Sequence, residues 1–153
     1  MVANPKSLST QASFTTPPTA PPPDQTENID VTFTLSGSTG TFTFSAISPS
    51  SNNVTLYNFN LTSAPEGWQL SGINVGPVGG DSWFSYPTTS NYNEAGVGQF
   101  WVTVAPNLIA LTVQDEDSST SSDTVCVTLV ISNPNANPSS YTSPDPQIVL
   151  VPR

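Results

Sequence analysis

Four carboxylates crowd into ten residues, QDEDSSTSSD, from Gln114 to Asp123: Asp115, Glu116, Asp117 and Asp123. Clustered acidic oxygens are what a hard cation needs, so Asp115, Asp117 and Asp123 are candidate ligands for calcium, the one cofactor the chain suggests. An EF-hand reading starting at Asp115 fails, because Thr120 stands where the invariant glycine belongs and Cys126 where the bidentate glutamate belongs. A looser loop site stays open beside the simpler account, a solvated hairpin tip whose like charges keep a sheet edge soluble.

Other chemistry is narrowed by what the chain lacks. It has no histidine and one cysteine, which removes Ser-His and Cys-His nucleophilic catalysis, histidine-ligated metals and iron–sulfur clusters. "GPVGGD" fits neither the Walker A spacing nor GxGxxG before a helix. Catalysis would have to come from carboxylates. Asp30, Glu66, Asp81 and Glu94 could supply a glycosidase pair, which needs two carboxyls about 5 to 10 Å apart. The Asp145–Pro146 bond offers a second route, self-cleavage, in which the Asp145 carboxyl attacks its own carbonyl, with Asp115 or Asp117 as further candidate acids. The alternative there is a Pro-Asp-Pro turn leading into the last strand.

Contact chemistry is better supplied. "DSWFSYPTTSNYN" presents Trp83, Phe84, Tyr86 and Tyr92 on a loop, a setting suited to stacking on a glycan or docking on a protein surface. The competing expectation is that Trp83 and Phe84 fold back to plug one end of the domain. Trp68 and Trp101 are expected in the core. Cys126, within "DTVCVTLVIS", is expected buried as a small apolar residue. The sequons Asn53-Val54-Thr55 and Asn60-Leu61-Thr62 both fall inside a predicted strand.

Composition sets the frame. Two basic residues oppose eleven acidic ones, a net charge of −9, and the basic pair, Lys6 and Arg153, lies near the two ends. Binding to nucleic acid or to an anionic membrane surface is therefore not expected, and no run reaches the roughly 18 apolar residues of a membrane span. No apolar leader opens the chain. A surface built from Ser, Thr, Asn and Gln is more usual in extracellular or surface-exposed β proteins.

The elements that must position these groups are strands. Residues 1–28 hold six prolines and read as a disordered or polyproline-type arm, a spacer in the simplest account and a proline-motif ligand in another. From Ile29 the pattern has period two: Ile29, Val31, Phe33 and Leu35 alternate with polar residues. Further strands are predicted at "TFTFSAI", at "NVTLYNFNL" (apolar on both faces, hence central) and at "GWQLSGINV", where Gly72 marks a bulge or bend. "QFWVTV" and "LIALTV" flank "APN", "TVCVTLVI" is expected to pair with "LIALTV" across the acidic loop, and "QIVLV" closes the domain. Residues 76–98 read as a long loop, and "LVPR" at 150–153 matches the remnant of an engineered protease site. No 3.6-residue period appears. The expectation is an all-β, antiparallel two-sheet immunoglobulin-like β-sandwich over residues 29–149.

The last third, "LTVQDEDSSTSSDTVCVTLVISN" followed by "YTSPDPQI", resembles small bacterial β-sandwich proteins of the DP-EP and inclusion-body (AidA/PixA-like) type. The resemblance implies a small sandwich without an established enzymatic role and draws attention to Asp145, Pro146 and Ile148. The functional expectation is a noncatalytic structural or binding module with the 81–92 loop as its contact surface. The alternative is a carboxylate-dependent, aspartic-type peptidase or a self-cleaving protein acting at an Asp-Pro bond.

Overall fold

The computed structural model describes residues 17–50, 53–115, 122–144 and 146–151. Eleven strands lie among them: β1 (Gln25–Ser36), β2 (Thr39–Phe44), β3 (Val54–Ser63), β4 (Gln69–Pro77), β5 (Phe84–Tyr86), β6 (Tyr92–Ala95), β7 (Gly98–Ala105), β8 (Leu108–Asp115), β9 (Asp123–Ser132), β10 (Ser140–Thr142) and β11 (Gln147–Leu150). They form two sheets. The six-stranded sheet runs β2–β1–β3–β8–β7–β6, and the five-stranded sheet runs β10–β9–β4–β5 with β11 also paired to β9. Because β3 pairs with β8 while the next strand, β4, pairs with β9 in the other sheet, the chain has the Greek-key crossover of an immunoglobulin-like sandwich.

Period-two alternation builds the core between the sheets. Ile29, Val31 and Phe33 of β1, Ile109, Leu111 and Val113 of β8, and Val125, Val127, Leu129 and Ile131 of β9 are all buried, with polar neighbours facing out. Phe33, Phe42, Trp68 and Tyr141 close one end of the sandwich as a ring cluster, with Phe33 centroids 4.9 to 5.4 Å from the other three. Three hairpins have two-residue turns: Gly37–Ser38, with Gly37 at φ 63°, Gly96–Val97 between β6 and β7, and Pro106–Asn107 between β7 and β8. The bulge expected at Gly72 is present, where the β4–β9 register shifts between Val130 and Ile131.

Several expectations change. β1 begins at Gln25, four residues before Ile29, since Gln25–Asn28 pair through their backbone with Thr55–Asn58 and carry no apolar period to reveal it. That β1–β3 ladder is parallel, within otherwise antiparallel sheets. Residues 76–98 contain β5 and β6, strands too short for a sequence period to show. The expected hairpin across the acidic loop does not form: β8 is flanked by β3 and β7, and β9 by β4, β10 and β11, so the loop connects different sheets. The sequence period marked where these runs lie, but not which sheet each run joins. Leu150 is buried and opposite Asp123 in the β9–β11 ladder, so it is part of the fold. Ser50 bridges the same strand, its N–H donating to the Val149 carbonyl at 2.8 Å while the Val151 N–H donates to its own carbonyl at 2.9 Å.

Candidate functional site

The aromatic surface is built from β6 and β7. In β7, Phe100 and Val102 point into the core, so Trp101 between them faces outward and is half-exposed. This corrects its expected place in the core; Thr103, on the same face, was the sequence signal that this side of the strand meets solvent. β6 sets Tyr92 directly opposite Trp101, with ring centroids 5.3 Å apart and planes at 48°. Ser90 fixes the entry to β6 by donating to the Tyr92 carbonyl at 2.6 Å and accepting the Tyr92 N–H at 3.1 Å. Its burial, and then the Glu94 carboxylate, hold the Tyr92 phenol above its ordinary value. The ladders place Thr26, Leu56, Thr112, Trp101 and Tyr92 in one outward row across five strands.

The Trp101 indole N–H is occupied. It donates to the main-chain carbonyl of Pro18 at 2.7 Å, a partner 83 residues earlier in the chain. Residues of the proline arm thus lie over this ledge, tied back to β3 by Asp24, whose N–H donates to the Val54 carbonyl at 2.9 Å and whose carboxylate accepts the Val54 N–H at 3.1 Å.

The other three aromatic candidates are turned toward the core. Phe84 is buried at 3% exposure, because β5 pairs with β4 and aims its first residue inward, so its ring is withdrawn from the contact set. Trp83 and Tyr86 are half-buried and packed on the core, Trp83 with its centroid 5.7 Å from Phe100. Of the four, Tyr92 joins the outward ledge.

On the opposite sheet's outer face, Asn74, Thr128 and Ser85 form a polar row: Asn74 donates to the Thr128 hydroxyl at 2.9 Å, and Ser85 donates to the Asn74 carbonyl oxygen at 2.6 Å. A cleft of about 120 Å³ opens beside it, lined also by Cys126 and the Gly76–Ser82 turn. Cys126 is therefore half-buried and outward, not in the core, since its neighbours Val125 and Val127 take the inward positions.

Of the candidate calcium ligands among the described residues, Asp115 and Asp123 stand on strands of different sheets. Asp115 ends β8, nearly buried, with its N–H donating to the Asn53 carbonyl at 2.9 Å. Asp123 opens β9 in the other sheet. Asp117 and Asp145 lie outside the described residues. Asp30, Glu66, Asp81 and Glu94 are exposed, and Glu94 accepts a hydrogen bond from Gln99 at 3.4 Å. Among the described residues no group of three or more His, Cys, Asp or Glu side chains comes within reach of one metal ion, and no helix is long and apolar enough to cross a membrane.

Next to Asp115 lies a buried polar knot. Ser50 and Thr55 hydroxyls are 2.9 Å apart and fully buried, and Tyr57 donates to the Ser48 carbonyl at 3.2 Å. Burial drives the Tyr57 phenol far above its ordinary range; the Ser50 hydrogen bond opposes this, and the Glu27 and Asp115 charges add to it. Around the Asp-Pro segment, the Ser143 hydroxyl accepts the Leu129 N–H and donates to the Pro144 carbonyl, both at 2.9 Å, and the Val127 N–H donates to the Pro146 carbonyl at 3.0 Å.

No curated protein matches the chain. The family model of the DP-EP family matches residues 1–152, from the proline arm through the last strand. With nearly its whole length matched, and with the sandwich fold that the resemblance of its last third implied, the chain belongs to the DP-EP family.

Proposed function

We propose that this protein is a noncatalytic binding module that engages protein surfaces through the aromatic ledge of β6 and β7. The observation that carries the reading is the outward Tyr92–Trp101 pair with its indole N–H bonded to a main-chain carbonyl. A pair of outward aromatic rings beside one directional donor suits an extended polypeptide, whose carbonyls recur along its length. A glycan is the other ligand class that stacks on such rings, and it is the second arm of the test.

Three tryptophans give three indole N–H resonances, so titration with glycan and peptide panels reads the ledge directly. The expected result is a shift of the Trp101 signal by peptides, with the buried Trp68 unmoved, and loss of the response in Tyr92→Ala. A Trp101 signal insensitive to both panels would sink the proposal. Hydrolysis at Asp145–Pro146 is tested separately by intact mass at neutral and mildly acidic pH. The binding reading expects one unchanged mass, whereas a fragment pair that disappears in Asp145→Asn would replace it with a self-cleaving protein.

A further inference from the structure

We infer that the Tyr92–Trp101 ledge is a polyproline-II recognition site, that residues 17–23 are its resident ligand, and that copies of this chain exchange that segment. The inference rests on the binding-module reading and names its partner.

The segment Pro17-Pro18-Thr19-Ala20-Pro21-Pro22-Pro23 contains five prolines in seven residues. Each proline ring fixes φ near −65°, and Pro17, Ala20, Pro21 and Pro22 each precede a proline and are kept out of the helical region. The polyproline-II shape is thus set before binding, and its carbonyls have no partner within the segment. What such a chain needs is an aromatic surface with a protruding N–H, and Trp101 supplies it, donating to Pro18 at 2.7 Å beside the Tyr92 ring.

The span fits. Asp24 is fixed beside Val54 of β3, and Trp101 stands on β7, two strands further across the sheet. Two strand spacings are about 10 Å, whereas the six residues from Pro18 to Asp24 extend about 19 Å as polyproline II. The segment therefore runs as a strap across the strands with length to spare for the rise to the indole.

The strap is also releasable. Pro17 to Ala20 are exposed, Pro21 is half-buried, and a single hydrogen bond, at Pro18, ties the described strap residues to Trp101. Pairing of β1 with β3 starts at Gln25, so the strap can lift without opening the sheet. A second copy carries an identical ligand and an identical ledge, and exchange remakes every contact that release breaks. Charge sets the balance. Strap residues 17–23 carry none, while the net −9 of each copy opposes association, so salt should favour exchange by screening the repulsion.

Two full-length variants form the test. One replaces Pro17, Pro18, Pro21, Pro22 and Pro23 with Ser, leaving a ledge without its ligand. The other carries Trp101→Ala, a ligand without its ledge. Each alone should sediment as a monomer. Mixed, they should form a one-to-one complex, strengthened by salt, with the Trp101 indole resonance of the first variant returning to its wild-type position. Trp101→Phe introduced into the proline-free variant, which keeps a ring on the receiving ledge and loses the N–H, should weaken its pairing with the Trp101→Ala variant about tenfold, the loss of one well-placed hydrogen bond. A mixture that stays monomeric at several hundred micromolar with an unmoved Trp101 signal overturns the exchange. If a free peptide of residues 17–23 then still shifts Trp101 in the proline-free variant, the second copy is excluded as partner while the binding module stands. If the peptide fails as well, both fall.

Discussion

Ser143 does the work of a missing stretch of strand. Between β10 and β11 the edge of β9 would have an unpaired Leu129 N–H, and the Ser143 hydroxyl accepts it at 2.9 Å while its own N–H donates to the Leu129 carbonyl at 2.8 Å. Ser143→Ala leaves a buried donor without its acceptor and should cost about 1 to 3 kcal/mol in a denaturant titration. Tyr57 predicts a pH dependence. Its phenol ionises near pH 10 when unfolded and well above that when folded, because burial disfavours the charged form. Its contribution is fully present below pH about 10 and is lost as pH rises from there through the folded value, since the unfolded chain gives up that proton first. Stability should therefore fall above pH about 10, and Tyr57→Phe should flatten that fall while lowering stability at neutral pH by about 1 kcal/mol through the lost bond to Ser48. Trp101 and Phe84 mark how far single residues were legible. Both are aromatic; residue type suggested core for Trp101 and left Phe84 between a contact surface and an inward plug. Strand parity turned Trp101 outward, with Phe100 and Val102 already claiming the inward positions of β7, and turned Phe84 inward.

At the scale of elements, β4 is held close to its neighbour β5 at a glycine. A methyl group on Gly72 would stand 2.8 Å from the Tyr86 carbonyl oxygen, a backbone atom of the neighbouring β5. Gly72→Ala should destabilise the fold by about 1 to 3 kcal/mol, and amide exchange should show Phe84–Tyr86 losing protection first. The bulge at this glycine could be read from the sequence because an isolated Gly in a strand pattern has few other uses. The strands with three or more alternating apolar residues, β1, β8 and β9, were equally readable. Their pairing was not. β8 and β9 have the same inward period, and adjacency in sequence suggested a hairpin, yet β3 and β7 occupy both edges of β8. β5 and β6, three and four residues long, fall below the length at which alternation is detectable. The ledge depended on both failures: without β6 paired to β7, nothing in the chain brings Tyr92 to Trp101.

At the scale of the molecule, the sandwich is fastened at its ends by contacts between the sheets. Tyr141 of β10 donates to the Ser38 carbonyl at 2.8 Å and packs among Phe33 and Trp68. Tyr141→Ala should remove both and cost about 3 to 5 kcal/mol, as large aromatic truncations do, measured as a drop in melting temperature. The Ser50 bridge to β11 does the equivalent work along one side of the five-stranded sheet, and it bears on polymerisation. An open strand edge is the template on which fibrils grow. Here the outer edge of β11 is already hydrogen-bonded to Ser50, β10 and β5 offer three residues each, and β6 offers four. Among the described strands, β2, with six residues, is the longest edge left for a foreign strand to extend, so fibrillar growth from the folded state would have to begin there.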